Sequence, residues 1–135
     1  MEYLFLIGRI LYAFVFLASG INHLRNSGAM AGYAASKGVP APRLAILGTG
    51  VMMLLGGLSI ACGIQPTWGI IIISVFLIPT TVMMHNFWAD TDPMARLNNL
   101  INFQKNVAML GAAWVMLMVP QPWVLSLGEF TRTVQ

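Results

Sequence analysis

The side chains able to do chemistry are few, and they gather at one end of each apolar run. His23 and His85 each close such a run, and Asn86 and Trp88 follow the second histidine. Asn98, Asn102, Lys105 and Asn106 recur at i, i+4, i+7 and i+8, one stripe of a helix. Imidazoles, amides and an ammonium can hydrogen-bond carbonyl oxygens, so His85, Asn86, Trp88, Asn102 and Lys105 suit the polar end of a quinone slot. His23 and His85 could instead ligate a haem or metal between two helices, but nothing else of metal-ligand spacing accompanies them. No metal site is expected, and hydrogen-bonding histidines stand ahead of haem ligation. Arg9 is the other costly residue inside an apolar run. It can snorkel to headgroups or pair with Glu2 on the same helical face, or it can hold an acidic or carbonyl-bearing ligand. Tyr12, Phe16, Gly20 and His23 share the face of Arg9. There is no nucleophile–base pair, glycine-rich phosphate loop or pair of intramembrane carboxylates. No catalytic residue is therefore assigned, and a proton-coupled carrier is disfavoured.

Composition says which elements hold these residues. Of 135 residues, 58% are hydrophobic and 8% charged, with a mean hydropathy of +0.77; a soluble domain carries about 25% charged residues. So few charges cannot coat a water-facing surface, and seven Lys/Arg against four Asp/Glu cannot track a phosphate backbone. A soluble enzyme, a disordered tail and a nucleic-acid module are excluded. Cys62, the one cysteine, excludes an internal disulfide and a CxxC pair. A membrane crossing takes about 20 apolar residues, and four stretches qualify, at 3–22, 43–64, 67–86 and 93–119. Hydrocarbon offers backbone groups no water, so these stretches are helices. The expectation is an all-α, four-helix transmembrane bundle, a single membrane domain over 1–135, with short interfacial helices after the first and third spans.

Local signals set the limits. Pro42, Pro66 and Pro93 fit first helical positions, Asp92 an N-cap, and Gly63 to Pro66 a tight turn. Pro79 should kink the third span, with Thr80 and Thr81 able to serve the freed carbonyl. Ser27 reads as the N-cap of a short amphipathic segment, Gly28 to Lys37, that lies in the interface. Gly20, Gly56 and Gly57 allow close helix packing. The first span has no basic segment before it and an arginine within it, so it is expected to be retained.

Both histidines, both aspartates and every asparagine fall on one side of the membrane, with Arg25, Lys37, Arg43, Arg96 and Lys105. Arg9 and Arg132 lie on the other, which favours the first side as cytoplasmic and both termini outside. Amides and an ammonium at the edge of hydrocarbon need partners, so the Asn98–Asn106 stripe should face the bundle interior, opposite His23 and His85. Plain interfacial solvation fits Asn26 and Asn99 well. It fits Asn102, Lys105 and Asn106 poorly. A histidine closing both the first and third spans also hints at a duplicated two-helix unit.

Five stretches carry a family resemblance: GRILYAFVFLASGINHL, YAASKGVPAP, LLGGLSIACGI, MMHNFW and INFQKNVAMLGAA. In this order and spacing they resemble the DoxX family over nearly the whole chain. The resemblance implies a four-helix membrane protein of a bacterial inner or equivalent energy-transducing membrane. The family takes its name from a small subunit associated with a terminal quinol oxidase and thiosulfate:quinone oxidoreduction, and other members resemble membrane parts of oxidative-stress assemblies. Many relatives carry a glutamate two residues before the LGG of the second span, where this chain has Met53. Whatever proton or quinol chemistry that glutamate supports elsewhere is then missing here.

The expected function is a membrane component of a quinone-linked oxidoreductase or redox-stress system, with a polar site at one membrane face. Arg9, His23, His85, Trp88, Asn102, Lys105 and Asn106 are its candidate ligand- or partner-binding residues. Quinone is the candidate ligand. Expected partners are the lipid bilayer and a membrane protein or second copy of the chain, with no nucleic acid. The alternatives are a non-catalytic accessory subunit of a larger membrane complex and, behind it, a small-solute carrier or cargo receptor.

Overall fold

Proline, glycine and aspartate punctuation divides the chain into helices. The structure is a computed structural model and describes residues 1–128; Arg132, counted above among the cations, lies outside the described residues. The helices are α1 (Glu2–Arg25), α2 (Ser27–Ser36), α3 (Pro42–Cys62), α4 (Pro66–Met84) and α5 (Pro93–Leu117), with a 3-10 turn at Phe87–Ala89. No strand occurs among the described residues. Prolines open α3, α4 and α5, where a missing N–H costs no helical bond. The Asp92 carboxylate caps α5 by accepting the Ala95 N–H at 2.7 Å. Gly63 ends α3 in the left-handed region at φ 66°, which lets its own N–H and that of Ile64 return to the Ile60 and Ser59 carbonyls. Asn26, and not Ser27, occupies the N-cap of α2. A single residue separates α1 from α2, and the Asn26 amide is drawn back to Asn22 Oδ1 at 2.6 Å.

Three helices are long and apolar enough to cross a membrane: Glu2–Arg25, Pro42–Cys62 and Pro66–Ala89. Their outer faces present Leu11, Phe14, Leu55 and Val75 without protein cover, which water would not tolerate and lipid does. The chain is an integral membrane protein. Helix α5 has 25 residues but a first half rich in amides, including Asn98, Asn99, Asn102 and Asn106.

Small residues set the close packing. α3 lies against α1 and α4, α4 against α5, and α2 folds back on α3. A Cβ on Gly20 would sit 2.9 Å from the Gly50 carbonyl oxygen, and one on Gly50 would sit 3.0 Å from His23 Cβ. α1 and α3 thus touch backbone to backbone beside the histidine. Gly56 does the same for α3 and α4, facing Ile73 and the Gly69 carbonyl. Phe16, Met53, Ile60, Ile73, Leu77 and Ala113 form the core, together with Trp123 from the segment after α5. That segment turns back along α1, where Trp123 meets Phe5 edge-on at 5.1 Å. At Pro79 the expectation needs correcting. Thr81 Oγ1 donates to the Leu77 carbonyl at 2.6 Å, its own i−4 partner, and not to the Val75 carbonyl that proline leaves unpaired.

Candidate ligand-binding site

Where α1 and α4 end, the five helices line a partly open cavity of about 730 Å³. α1 contributes Phe16, Ser19 and His23 to its wall, α2 Met30 and Tyr33, and α3 Thr49 and Met53. Phe76, Thr80, Met83 and His85 line it from α4 and its C-cap, and Asn106 and Met109 from α5. Among the described residues the wall contains no Asp, Glu, Lys or Arg. It is a greasy, methionine-rich chamber whose polar points are two imidazoles, the Asn106 amide and the hydroxyls of Ser19, Tyr33, Thr49 and Thr80. Met30, Met53, Met83, Met84 and Met109 surround it, although methionine in such a chain reads first as packing or lipid contact. Their flexible, polarizable thioethers adapt to a flat aromatic guest. Met53, the position read against the family's glutamate, is 1% exposed, so a carboxylate there would stand in the cavity wall.

Each histidine is held by its Nδ1. His23 Nδ1 donates to the Ser19 carbonyl at 2.9 Å, and the ring meets Phe76 edge-on at 6.5 Å. His85 Nδ1 donates to Asn99 Oδ1 at 3.3 Å. Asn99 Nδ2 passes the chain on to Asp90 Oδ2 at 2.7 Å. Lys37 Nζ then joins Asp90 Oδ1 at 3.3 Å and Asn86 Oδ1 at 2.9 Å. This network staples the end of α2 to the turn after α4 and to α5. The Asn99 hydrogen bond and the Lys37 ammonium hold the Asp90 carboxyl below the usual carboxylate range.

The expected residues separate into groups. His23, His85 and Asn106 line the same cavity. Asn102 is half-buried on α5 and Lys105 is exposed, and neither lines the cavity. Of the expected stripe, Asn106 faces inward and Asn102 is half-buried beside it, while Asn98 and Lys105 are exposed. The inner seam of α5 runs Asn99, Asn102, Asn106, Met109, Ala113 and Met116, with Asn102 half-buried between the two other amides, and the exposed Asn98 and Lys105 flank it. Asn99, read as a solvated amide, is 8% exposed. Tracing the apolar seam of Ala113 and Met109 back by threes and fours reaches Asn106 and Asn99, a signal the sequence did hold. Asp90 and Lys37 were missed because their partners meet only in three dimensions. Trp88 is exposed and packs edge-on with Phe103 at 6.0 Å, away from the cavity. His85 is followed only by a 3-10 turn, where His23 leads into α2, so the two halves differ in build.

Arg9 belongs to the other end. It lies fourteen residues before His23, roughly 21 Å along α1 at 1.5 Å per residue. It neither snorkels nor pairs with Glu2: it is 2% exposed. Its guanidinium donates to the Val124 carbonyl at 3.3 Å and to the Leu125 carbonyl, and lies 5.8 Å from the Trp123 ring. The fold-back after α5 supplies the acceptors that headgroups were expected to supply. A second groove, of about 590 Å³, passes between Phe5, Gly8 and Tyr12 of α1 and Ala112 and Met116 of α5. Tyr12 crosses this seam, its hydroxyl donating to the Met109 carbonyl at 3.0 Å.

The comparisons agree with a membrane setting. Residues 4–86 match the DoxX family, which takes in α1 to α4 and ends before α5. The chain is similar to the inner membrane protein YphA of Escherichia coli (strain K12), 31% identical over 124 residues that cover 92% of this chain and 87% of that protein. No solved structure matches. With the family match spanning more than half its length, this chain belongs to the DoxX family of integral membrane proteins.

Proposed function

We propose that the chain is a membrane component of a quinone-linked oxidoreductase or redox-stress system, and that its cavity holds the ring of a quinone. One observation carries this reading. A mostly apolar chamber of about 730 Å³, without Asp, Glu, Lys or Arg among its lining residues, has two imidazoles, one amide and a few hydroxyls as polar points, which is the size and polarity of a pocket for a neutral amphiphile. In this reading α5 is a fourth span, because 25 residues reach about 37 Å and the helix runs against α4. The four long helices then form a transmembrane bundle with the cavity in one leaflet. Arg25, Lys37, Arg43, Arg96 and Lys105 assign the cavity end to the cytoplasm and both termini to the far side. The inner-membrane location printed for YphA suggests the same membrane here.

A second reading has its own observation. Lys105, Asn98 and Trp88 are exposed near the cavity end and take no part in the network, as expected of an accessory subunit meeting a partner's loops. Native mass spectrometry from mild detergent separates the two. The quinone reading expects one isoprenoid quinone per chain, lost in Asn106→Leu and kept in Lys105→Ala. No lipophilic adduct on the wild type would remove it. A co-purifying membrane protein without quinone, lost in Lys105→Ala, would favour the accessory subunit.

A further inference from the structure

In both cavity histidines the same ring nitrogen is already committed. His23 Nδ1 lies 2.9 Å from the Ser19 carbonyl oxygen, a group that only accepts, so that nitrogen carries the ring proton. His85 Nδ1 lies 3.3 Å from an amide oxygen of Asn99. The orientation of that amide is itself fixed, because its Nδ2 lies 2.7 Å from Asp90 Oδ2 and an ionised carboxylate cannot donate. Asn99 must therefore turn its oxygen to the ring, and His85 also carries its proton on Nδ1. In a wall without carboxylates the neutral imidazole is the stable form. A neutral ring has one donor and one acceptor. Both donors are used, so what each histidine still offers is the lone pair of Nε2, on the side of the ring away from its partner. Neither Nε2 has a hydrogen-bond partner among the described residues, and neither is sealed from contact.

We infer that this cavity recognises a hydrogen donor, a hydroxyl on a flat apolar ring of the phenol or hydroquinone class, in preference to a carbonyl. The inference rests on the proposed reading of the cavity and names the form of the ligand that it retains. A quinone carbonyl needs an N–H or O–H aimed at it and finds none on either imidazole; a ring hydroxyl finds an acceptor on both. The Asn106 amide and the Ser19, Tyr33 and Thr80 hydroxyls of the same wall can donate or accept and serve either form, so the two imidazoles alone discriminate. Met30, Met53, Met83 and Phe76 supply sulfur–aromatic and edge contacts for the ring.

The test uses 4-nonylphenol and its methyl ether, which share one body and one oxygen and differ in the O–H. Binding to the purified protein in mild detergent is measured by equilibrium dialysis, with protein-free micelles as the partition blank. The phenol should bind about tenfold more tightly, the worth of one buried hydrogen bond. His23→Phe and His85→Phe should bring that ratio toward one while ether binding persists. Nitrogen-15 shifts of the wild-type imidazoles should show the proton on Nδ1 in both, independently of any variant's folding. Equal binding of the two probes, or a proton on Nε2, overturns the preference and leaves the cavity reading standing. Binding of neither probe removes both.

Discussion

Alanine at Gly20 tests how α1 is held on α3 and hence how His23 is placed. The added Cβ would lie 2.9 Å from the Gly50 carbonyl oxygen and 2.9 Å from Leu54 Cγ. Leu54 can turn aside. The carbonyl belongs to the α3 backbone and can withdraw only if the two helices part by several tenths of an ångström. Such overpacking costs about 1–3 kcal/mol, partly offset by the roughly 0.5–1 kcal/mol that alanine gains over glycine inside a helix. Gly8 in the same helix has nothing within 4 Å of its would-be Cβ, so Gly8→Ala keeps the gain without the clash. The difference between the two variants isolates the packing cost, about 1–3 kcal/mol with Gly20→Ala the less stable. The assay is equilibrium unfolding in mixed micelles of increasing dodecyl sulfate fraction, followed by far-ultraviolet circular dichroism. Two variants within about 0.5 kcal/mol of each other would refute the backbone-to-backbone contact, and with it the reason His23 sits where it does.

Three further outcomes follow from particular bonds. Tyr12→Phe removes the hydroxyl that crosses from α1 to the Met109 carbonyl and should cost about 1 kcal/mol in the same unfolding assay; an unchanged midpoint would show that the seam does not depend on it. Arg9→Met removes both bonds to the Val124 and Leu125 carbonyls, but it also removes a buried cation, so global stability should change little. Limited chymotrypsin digestion should then cut near Trp123 several-fold faster, and unchanged protection would contradict the latch. Asp90, held below its ordinary value of 3.8 by Asn99 and Lys37, contributes stability that is present above that value and lost as pH falls through the lowered one. The wild type should therefore lose its advantage over Asp90→Asn below about pH 4, and curves that stay parallel across that range would count against the network.

The helix limits were legible because they rest on local chemistry. Pro42, Pro66 and the Asp92–Pro93 pair act within one turn of themselves, and apolar length alone marks the three spans. His23, His85 and Asn106 could be gathered on one side because helix ends and loop order dictate it. The expected stripe and the inner face of α5 coincide at Asn102 and Asn106 and part at Asn98 and Lys105, which stay exposed. Polarity alone put Asn98 and Lys105 on the stripe with Asn102 and Asn106, while the inner seam is set by Met109, Ala113 and Met116 further along. Arg9 was read against its nearest sequence partner, Glu2, but its carbonyl acceptors come from Val124 and Leu125, more than a hundred positions away. No periodicity announces a fold-back of that kind. The Lys37–Asp90–Asn99–His85 chain was illegible for the same reason, since its members come from three separate elements.

Photo-crosslinking with an azido-quinone tests the central claim most directly, because it reports where the ring rests. Illumination in native membranes followed by peptide mapping should place the label on Met30, Met83 and Met109, with 4-nonylphenol competing it away. Label confined to outward residues such as Leu55, Val75 or Trp114, and unaffected by the competitor, would contradict a ligand-holding cavity.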